Sequence, residues 1–150
     1  MSRTIVLDAT PLGMVCHPNA KGEALACKLW LADLLAHGNR VIVPEVADYE
    51  VRHEFILGRR IRAIRYLDRL AQRTEYLVLD TQQMRLAAEL WAQVRQLGLP
   101  TAGPDSIDAD VILSAQALSL NDPKVIVATS NPGHLSRFVN AEPWQNIPAA

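Results

Sequence analysis

The sequence predicts one α/β domain, a three-layer α/β/α sandwich in which a central, mainly parallel sheet lies between two layers of helices. Short runs of consecutive apolar residues alternate along the chain with longer segments whose apolar residues recur every three or four positions. These are the patterns of buried strands and of helices, and their alternation favours a parallel sheet. The 150 residues suit a single domain, 1–150, and no repeat, low-complexity segment or linker divides them.

The first strand is predicted over 3–7, where Ile5, Val6 and Leu7 form a run that would be buried on both faces. Asp8 follows directly, and Pro11 and Gly13 mark the end of the strand. An acid at this place is costly to desolvate unless something positive meets it, and open α/β sheets bind ligands beyond the carboxyl ends of their strands. Asp8 is therefore either a ligand of a divalent metal or the cap of a turn, and the strand alone does not show which of the two applies.

The remaining elements follow in alternation. Further strands are predicted over 41–43, 76–79 and 124–128, with an edge strand near 144–147, and helices over 23–36, 45–57, 60–71, 82–97 and 106–120. A loop is expected over 100–104. The apolar face of the helix over 82–97 is expected to consist of Met84, Ala87, Ala88, Trp91 and Val94.

Composition and charge narrow the class of protein. No apolar run is long enough to span a membrane, and the N-terminus lacks the apolar core of a secretory signal. Cys16 and Cys27 show no metal-binding spacing, so we expect free thiols in a reducing cytoplasm. With a net charge of −1, a nucleic-acid role would need a local basic patch.

Acidic residues occur at two unusual places besides Asp8. Glu50 lies on a helical stripe with apolar neighbours, where it needs a partner, and a salt bridge within the helix is the alternative to a functional role. Asp105, Asp108 and Asp110 crowd the start of the apolar helix over 106–120. One of them suffices as a cap, and the others repel it unless a positive group lies among them. Asp108 and Asp110 are separated by about 200° on a helix, so only one should face a site shared with Asp8.

Polar residues also follow the last strong strand, over 129–134. Thr129, Asn131 and His134 would face the same crevice as Asp8 if the two strands are neighbours, and an exposed turn is the alternative.

Arginines are concentrated between 51 and 74, where seven of them stand against Glu54 and Asp68. Arg62, Arg65, Arg69 and Arg73 step by three or four and so share one helical face. Arginine forks onto phosphate, although a solvated face with intrahelical pairs would also explain the pattern.

Taken together, these residues resemble the PIN-domain family of metal-dependent ribonucleases, and most closely its VapC-like toxins. Four segments carry the resemblance in the family's order: Ile5-Val6-Leu7-Asp8-Ala9-Thr10, Val43-Pro44-Glu45-Val46-Ala47-Asp48-Tyr49-Glu50-Val51-Arg52, Asp110-Val111-Ile112-Leu113-Ser114-Ala115-Gln116-Ala117-Leu118 and Ala128-Thr129-Ser130-Asn131-Pro132-Gly133-His134-Leu135. The likeness extends from about Arg3 to Phe138.

The resemblance implies a role for each matching position. Asp8, Glu50 and Asp110 match the family's acids, Asp108 is a possible additional metal ligand, and Asn131 stands where many members have Asp. The implied cofactor is Mg²⁺ or Mn²⁺, which would activate a water for cleavage of RNA. RNA contacts are expected from Thr10, Arg52, Arg62, Arg65, Arg69, Thr129 and His134. The family further implies a homodimer and an antitoxin partner that occupies the groove.

Two other interpretations remain open. A PIN fold that has lost catalysis and serves as a binding module is one, because Asn131 replaces a fourth carboxylate. A haloacid-dehalogenase-like phosphatase is the other, since it too places an acid after its first strand. The chain's lysines are only Lys21, Lys28 and Lys124, however, and none forms the motif that such phosphatases need.

Overall fold

A computed structural model of the protein describes the backbone of residues 2–98 and 104–150, and their side chains except those of 104–107. Five strands form one parallel sheet in the order β3-β2-β1-β4-β5. They are β1 (Thr4–Leu7), β2 (Arg40–Pro44), β3 (Glu75–Leu77), β4 (Val125–Thr129) and β5 (Ala141–Pro143). The helices are α1 (Ala9–Val15), α2 (Gly22–Ala36), α3 (Glu45–Leu57), α4 (Ile61–Arg73), α5 (Thr81–Gln96) and α6 (Pro104–Leu118), and Leu135–Arg137 and Trp144–Asn146 form 3-10 turns.

The two faces of the sheet carry separate helix layers, because alternate residues of each strand point to opposite sides. Ile5 and Leu7 of β1 pack with α1, α2 and α4 in one core. Val6 packs on the other face against Leu113 and Ala117 of α6, and α5 covers α6 from outside. The predicted α/β/α sandwich with its parallel sheet is confirmed.

Helix α1 is absent from the sequence-based prediction, in which Pro11 and Gly13 mark a turn. Both residues lie inside this seven-residue helix, and Asp8 is its N-cap. Proline is tolerated here because the amide groups of a first helical turn have no partner within the helix. The chain therefore turns into a helix immediately after β1, which fixes the direction of the Asp8 side chain.

The predicted apolar face of α5 is partly wrong. Met84 and Trp91 are 45% and 38% exposed, whereas Gln83 and Leu90 are buried with Ala87 and Val94. Gln83 can be buried on this face because its polar atoms have hydrogen-bond partners. Its backbone and side chain form a capping box with Asp80, and its side-chain oxygen accepts a bond from Gln116 of α6. The buried face is therefore rotated from the predicted one.

The C-terminal tail also differs from its prediction. The edge strand is β5, Ala141–Pro143, and the expected strand near 144–147 is a 3-10 turn instead. Trp144 is 4% exposed, with its ring centroid 5.6 Å from that of Trp30, so burial of a large ring replaces strand pairing there. The predicted loop over 100–104 falls mainly outside the described residues, and Pro104 already belongs to α6.

The expectation that the two cysteines are free thiols is confirmed. Cys16 and Cys27 are free and buried, and burial raises the pKa of both thiols to about 12. A thiol with such a pKa is no nucleophile at neutral pH. Within residues 2–98 and 104–150, no helix combines the length and apolar character that crossing a membrane requires.

Candidate active site

The strand order places a crevice at the carboxyl end of β1. Strand β2 lies on one side of β1 and β4 on the other, so the chain reverses its direction of winding at β1. Ligands of open α/β sheets bind at such a switch point. Asp8 follows β1, Thr129 ends β4, and α3 with Glu50 begins directly after β2. The predicted meeting of the Asp8 and Thr129 segments is thereby confirmed.

Asp8 is anchored on both of its carboxylate oxygens. Oδ1 accepts a hydrogen bond of 2.7 Å from the backbone N–H of Ala9, and Oδ2 accepts one of 2.8 Å from the Thr129 hydroxyl. Burial raises the pKa of Asp8, and these two bonds oppose that rise. Asp8 is therefore the N-cap of a helix, where the alternative interpretation expects the cap of a turn, and its orientation at the crevice is fixed by Ala9 of α1 and Thr129 of β4.

Thr129 connects Asp8 to the turn that follows β4. It is 2% exposed, and its hydroxyl oxygen accepts a bond of 3.1 Å from the backbone N–H of Asn131 while it donates to Asp8. The side chain of Asn131 is exposed, and its Oδ1 accepts from the Gly133 backbone at 3.3 Å. Asn131 thus stabilises the turn through its backbone N–H and its side-chain oxygen, while Thr129 donates the hydrogen bond to Asp8.

Glu50 lies on α3 without an ion-pair partner among the described residues. Its pKa is raised to about 7, first by burial and then by the negative charges of Asp8 and Asp110. The intrahelical salt bridge that could have explained it is not formed, because His53 contacts Glu54 instead, at 3.4 Å. An acidic side chain that is partly buried beside two other acids, and whose pKa is raised as a result, is typical of functional sites.

Asp110 completes the group from α6. Its pKa is raised to about 6 by burial and by Asp8, and His134 lowers it in part. Carboxylates from β1, α3 and α6 therefore feel one another's charge, with His134 as the neighbouring base. We call Asp8, Glu50 and Asp110 the acid cluster.

Asp108 is placed elsewhere. It is exposed and lines a groove between α5 and α6 together with Met84 and Trp91, so the helical rotation separates it from Asp110 as the sequence indicates. Helical geometry alone does not show which of the two acids faces the site. In the structure Asp110 interacts with Asp8, and Asp108 lines a different groove.

The acid cluster suits a hard cation by the chemistry of its donors. Carboxylate oxygens are the ligands that Mg²⁺ and Mn²⁺ prefer, and none of the ion pairs among the described residues involves these three carboxyl groups. In the described ranges, no three His, Cys, Asp or Glu side chains stand close enough to bind one ion without adjustment.

A groove of about 420 Å³ leads away from the acid cluster. Glu50 of the acid cluster and the exposed Thr10 line it together with Gly13, His17 and Arg60. We call it the α1–α3 groove. Its position makes Thr10 accessible to any ligand that reaches Glu50.

The predicted RNA-binding arginines fall into two groups. Arg52 pairs with Asp48 on its own helix and with Asp68 on α4, each at 2.8 Å, so its guanidinium is already engaged. Arg62, Arg65 and Arg69 are exposed and line a second cavity. That cavity also contains two residues that the sequence patterns did not single out, Lys28 and Tyr66; they come from different helices, so no spacing along the chain connects them.

Solved structures share this architecture along nearly the entire chain. The chain is similar to VapBC2 from Rickettsia felis bound to a DNA fragment from its promoter, with 17% identity, a TM-score of 0.70 and coverage of 94% of this chain and 98% of that one. DNA-bound VapBC from Salmonella typhimurium gives 19% identity, a TM-score of 0.62 and coverage of 96% and 99%. FitAcB from Neisseria gonorrhoeae gives 19%, 0.64, and 95% and 99%.

No family model and no curated protein matches the sequence. The likeness therefore rests on structure, and it agrees with the order of the four motif segments and with the sheet that carries them. The chain has the PIN-domain fold of VapC-like proteins.

Proposed function

We propose that this protein is a metal-dependent endoribonuclease and the toxin component of a VapBC-type toxin–antitoxin system. The observation that carries the proposal is the acid cluster: Asp8, Glu50 and Asp110 come from three elements near the switch point of the sheet, and burial together with the charges of Asp8 and Asp110 raises the pKa of Glu50 to about 7. Acids with perturbed pKa values in a cleft are typical of catalysis, and the fold is that of proteins found in VapBC complexes.

Each residue of the site would have a defined task. Asp8, Glu50 and Asp110 would hold Mg²⁺ or Mn²⁺, which when bound activates water and stabilises the charge of the scissile phosphate. Asp8 keeps a fixed direction through its bonds to Ala9 and Thr129. His134, close enough to Asp110 to lower its pKa, would face the phosphate of the substrate. Asp108 is not assigned to this set, because it lines a different groove.

The two buried thiols are not available as covalent nucleophiles at the crevice. Cys16 and Cys27 have pKa values near 12 and are enclosed in the core. Hydrolysis by water is therefore the reaction that these residues support, and it would leave a 5′-phosphate on the RNA, as the resemblance implies.

The proposed partners follow from the structural neighbours. VapBC structures are assemblies, so we propose an antitoxin that covers the α1–α3 groove and a homodimer of the chain. An antitoxin there would block access to Glu50 and Thr10, which line the groove.

The test is cleavage of single-stranded RNA by the purified protein with Mn²⁺, with Mg²⁺ and with a chelator. We expect cleavage with the metals, none with the chelator, and at least a hundredfold slower cleavage by Asp8→Asn, about what the loss of several kcal/mol of transition-state stabilisation gives. Equal rates for wild type and Asp8→Asn would refute the nuclease.

Growth arrest on expression, relieved by the adjacent open reading frame, would identify a toxin.

One observation favours a second candidate, a binding module without catalysis. The expected fourth acid is Asn131, and its Oδ1 is already used by the Gly133 backbone. A protein that binds RNA, and whose Asn131→Asp variant cleaves RNA while wild type does not, would establish that alternative.

A further inference from the structure

A strongly basic cavity lies between α2 and α4, outside the acid cluster. It has a volume of about 350 Å³, and its lining consists of Pro18, Lys28, Arg62, Arg65, Tyr66 and Arg69. We call it the basic pocket. Four of its six lining residues are cations and none is an acid, so an anion that enters it meets attraction from every charged side chain.

The arginines of the basic pocket have no carboxylate to neutralise them in the described part of the chain. Other arginines of the protein do: Arg40 forms two bonds of 2.8 Å with Glu75, and Arg52 pairs with Asp48 and Asp68. Arg62, Arg65 and Arg69 take part in none of these ion pairs. Like charges held together without a counter-charge favour binding of an external anion.

Two contacts hold the wall of the pocket in place. Lys28 Nζ donates a bond of 3.0 Å to the carbonyl oxygen of His17 and lies 4.4 Å from the centroid of the Tyr66 ring. The Arg69 guanidinium carbon lies 6.0 Å from the same centroid. The ammonium group still has donors to offer, and its position is fixed before any ligand arrives, which lowers the entropic cost of binding.

The basic pocket adjoins the α1–α3 groove. His17 lines the groove that contains Glu50, and the next residue, Pro18, lines the pocket. Lys28 Nζ also donates to the His17 carbonyl oxygen, so a strand that leaves the groove at His17 meets Lys28 of the basic pocket.

The shape of the charge suits an extended polyanion. Arg62 and Arg69 are seven residues apart on α4, which separates them by about 10 Å along the helix. Guanidinium groups bind phosphate oxygens in pairs, a geometry that suits repeated phosphates along a strand.

We propose that the basic pocket binds backbone phosphate of the RNA substrate at a position away from the cleaved bond. This inference rests on the proposed ribonuclease function and adds to it a second point of attachment. The acid cluster would act on one phosphate while the pocket holds another, so the pocket would set affinity and the direction in which the strand lies.

The experiment measures binding of a short, labelled single-stranded RNA without metal, in an Asp8→Asn background that prevents cleavage. The variant Arg65→Gln/Arg69→Gln is compared with Arg85→Gln/Arg95→Gln, which removes the same charge from exposed sites on α5. We expect the pocket variant to bind about tenfold or more weakly and to lower the slope of log K against log salt by about 1.4, as for two lost phosphate contacts. The α5 variant should keep the original slope.

Equal affinity and salt slope for the two double variants would overturn the proposal. So would displacement of the RNA by polyglutamate at equal charge concentration, because the pocket would then accept an acidic protein segment as readily. Lys28→Gln, with thermal unfolding as a check of folding, gives a second variant that should also weaken binding. Pocket-dependent binding without any cleavage by wild type would refute the ribonuclease and not the pocket; cleavage without pocket dependence would do the reverse.

Discussion

The acid cluster is the feature with the most direct chemical consequences at the scale of single residues. Asp8, Glu50 and Asp110 are negative groups in a partly buried crevice, and burial is the largest cause of each raised pKa. The folded protein therefore binds protons at Glu50 and Asp110 more tightly than the unfolded chain does.

A pH dependence of stability follows for the protein without metal. The pKa of Glu50 rises from 4.5 to about 7, and that of Asp110 from 3.8 to about 6. Because the folded state holds these protons more tightly, the stability they contribute is complete below the unfolded values and is lost as the pH rises through the folded ones. Thermal unfolding in a chelator should show a lower melting temperature at pH 7.5 than at pH 5.

Glu50→Gln is the matched variant for that prediction, since it keeps the shape of the side chain and removes its titration. Its melting temperature should change less between the two pH values than that of wild type. A variant whose pH dependence equals that of wild type would show that Glu50 keeps an ordinary pKa and is not part of an acid cluster.

Much of the site could be predicted at this scale, because strand ends and motif order locate Asp8 and Thr129 from the sequence. Helical geometry separates Asp108 from Asp110. In the structure burial and the charge of Asp8 raise the pKa of Asp110, whereas Asp108 lines a different groove. The engagement of Arg52 by Asp48 and Asp68 could not be predicted, since Asp68 belongs to another helix and their meeting depends on how α3 packs on α4.

At the scale of elements, α3 is held by a buried ionic network at its base. Asp48 is 6% exposed, accepts from Arg52, and accepts a bond of 2.7 Å from the Tyr76 hydroxyl at the end of the sheet. This network fixes the helix that carries Glu50 against β3 and α4.

Loss of the tyrosine hydroxyl should weaken that attachment. Tyr76→Phe removes one bond to a buried carboxylate, which costs about 1 to 2 kcal/mol of unfolding free energy. Urea denaturation measures it, with Tyr49→Phe as the control, because Tyr49 is 66% exposed and its substitution should leave stability unchanged. Equal stability of the two variants would mean that the network does not stabilise α3.

A second buried link joins α6 to α3 and β3. Gln116 is fully buried; its Oε1 accepts from the Val46 N–H at 3.2 Å, and its Nε2 donates to the Leu77 carbonyl at 2.9 Å. The same amide donates to Gln83 at 3.1 Å. One side chain thus fixes the first turn of α3 relative to the helix that carries Asp110.

Gln116→Met should be costly, because it keeps the volume and leaves buried polar groups of Val46 and Leu77 without partners. We expect a loss of about 2 to 4 kcal/mol in urea denaturation. Gln93→Met, at an exposed position on α5, is the control and should change stability little. If Gln116→Met unfolds at the urea concentration of wild type, the buried link does not support the site.

The elements also show where sequence patterns mislead. Gln83 and Gln116 look like surface residues by composition, yet they satisfy each other inside the protein, so the buried face of α5 is rotated from the apolar one. Helix α1 is hidden by Pro11 and Gly13, and the proline is tolerated because it lies in the first turn, where the backbone amide groups have no partner within the helix. The first error comes from polar partners that are remote in the chain, and the second from a helix too short to show a periodic apolar pattern.

At the scale of the whole molecule, the parallel order of the sheet brings the acid cluster together. Asp8 and Thr129 are far apart in the chain, but Asp8 follows β1 and Thr129 ends the adjacent β4, and α3 and α6 approach the same edge. Apolar strand runs and helical spacing were enough to predict that sheet, since a parallel arrangement is the common result of alternating strands and helices. The basic face of α4 could be predicted, but the depth of the cavities could not, because it depends on packing between helices.

Binding of Mn²⁺ at neutral pH, measured by isothermal titration calorimetry, tests the central claim most directly. Wild type should bind Mn²⁺, Asp110→Asn should bind it at least tenfold more weakly, and Asp108→Asn should bind like wild type. The two substitutions make the same chemical change two residues apart on one helix, so only the position of the carboxylate differs. Equal affinity for all three proteins would contradict a metal site built from Asp8, Glu50 and Asp110.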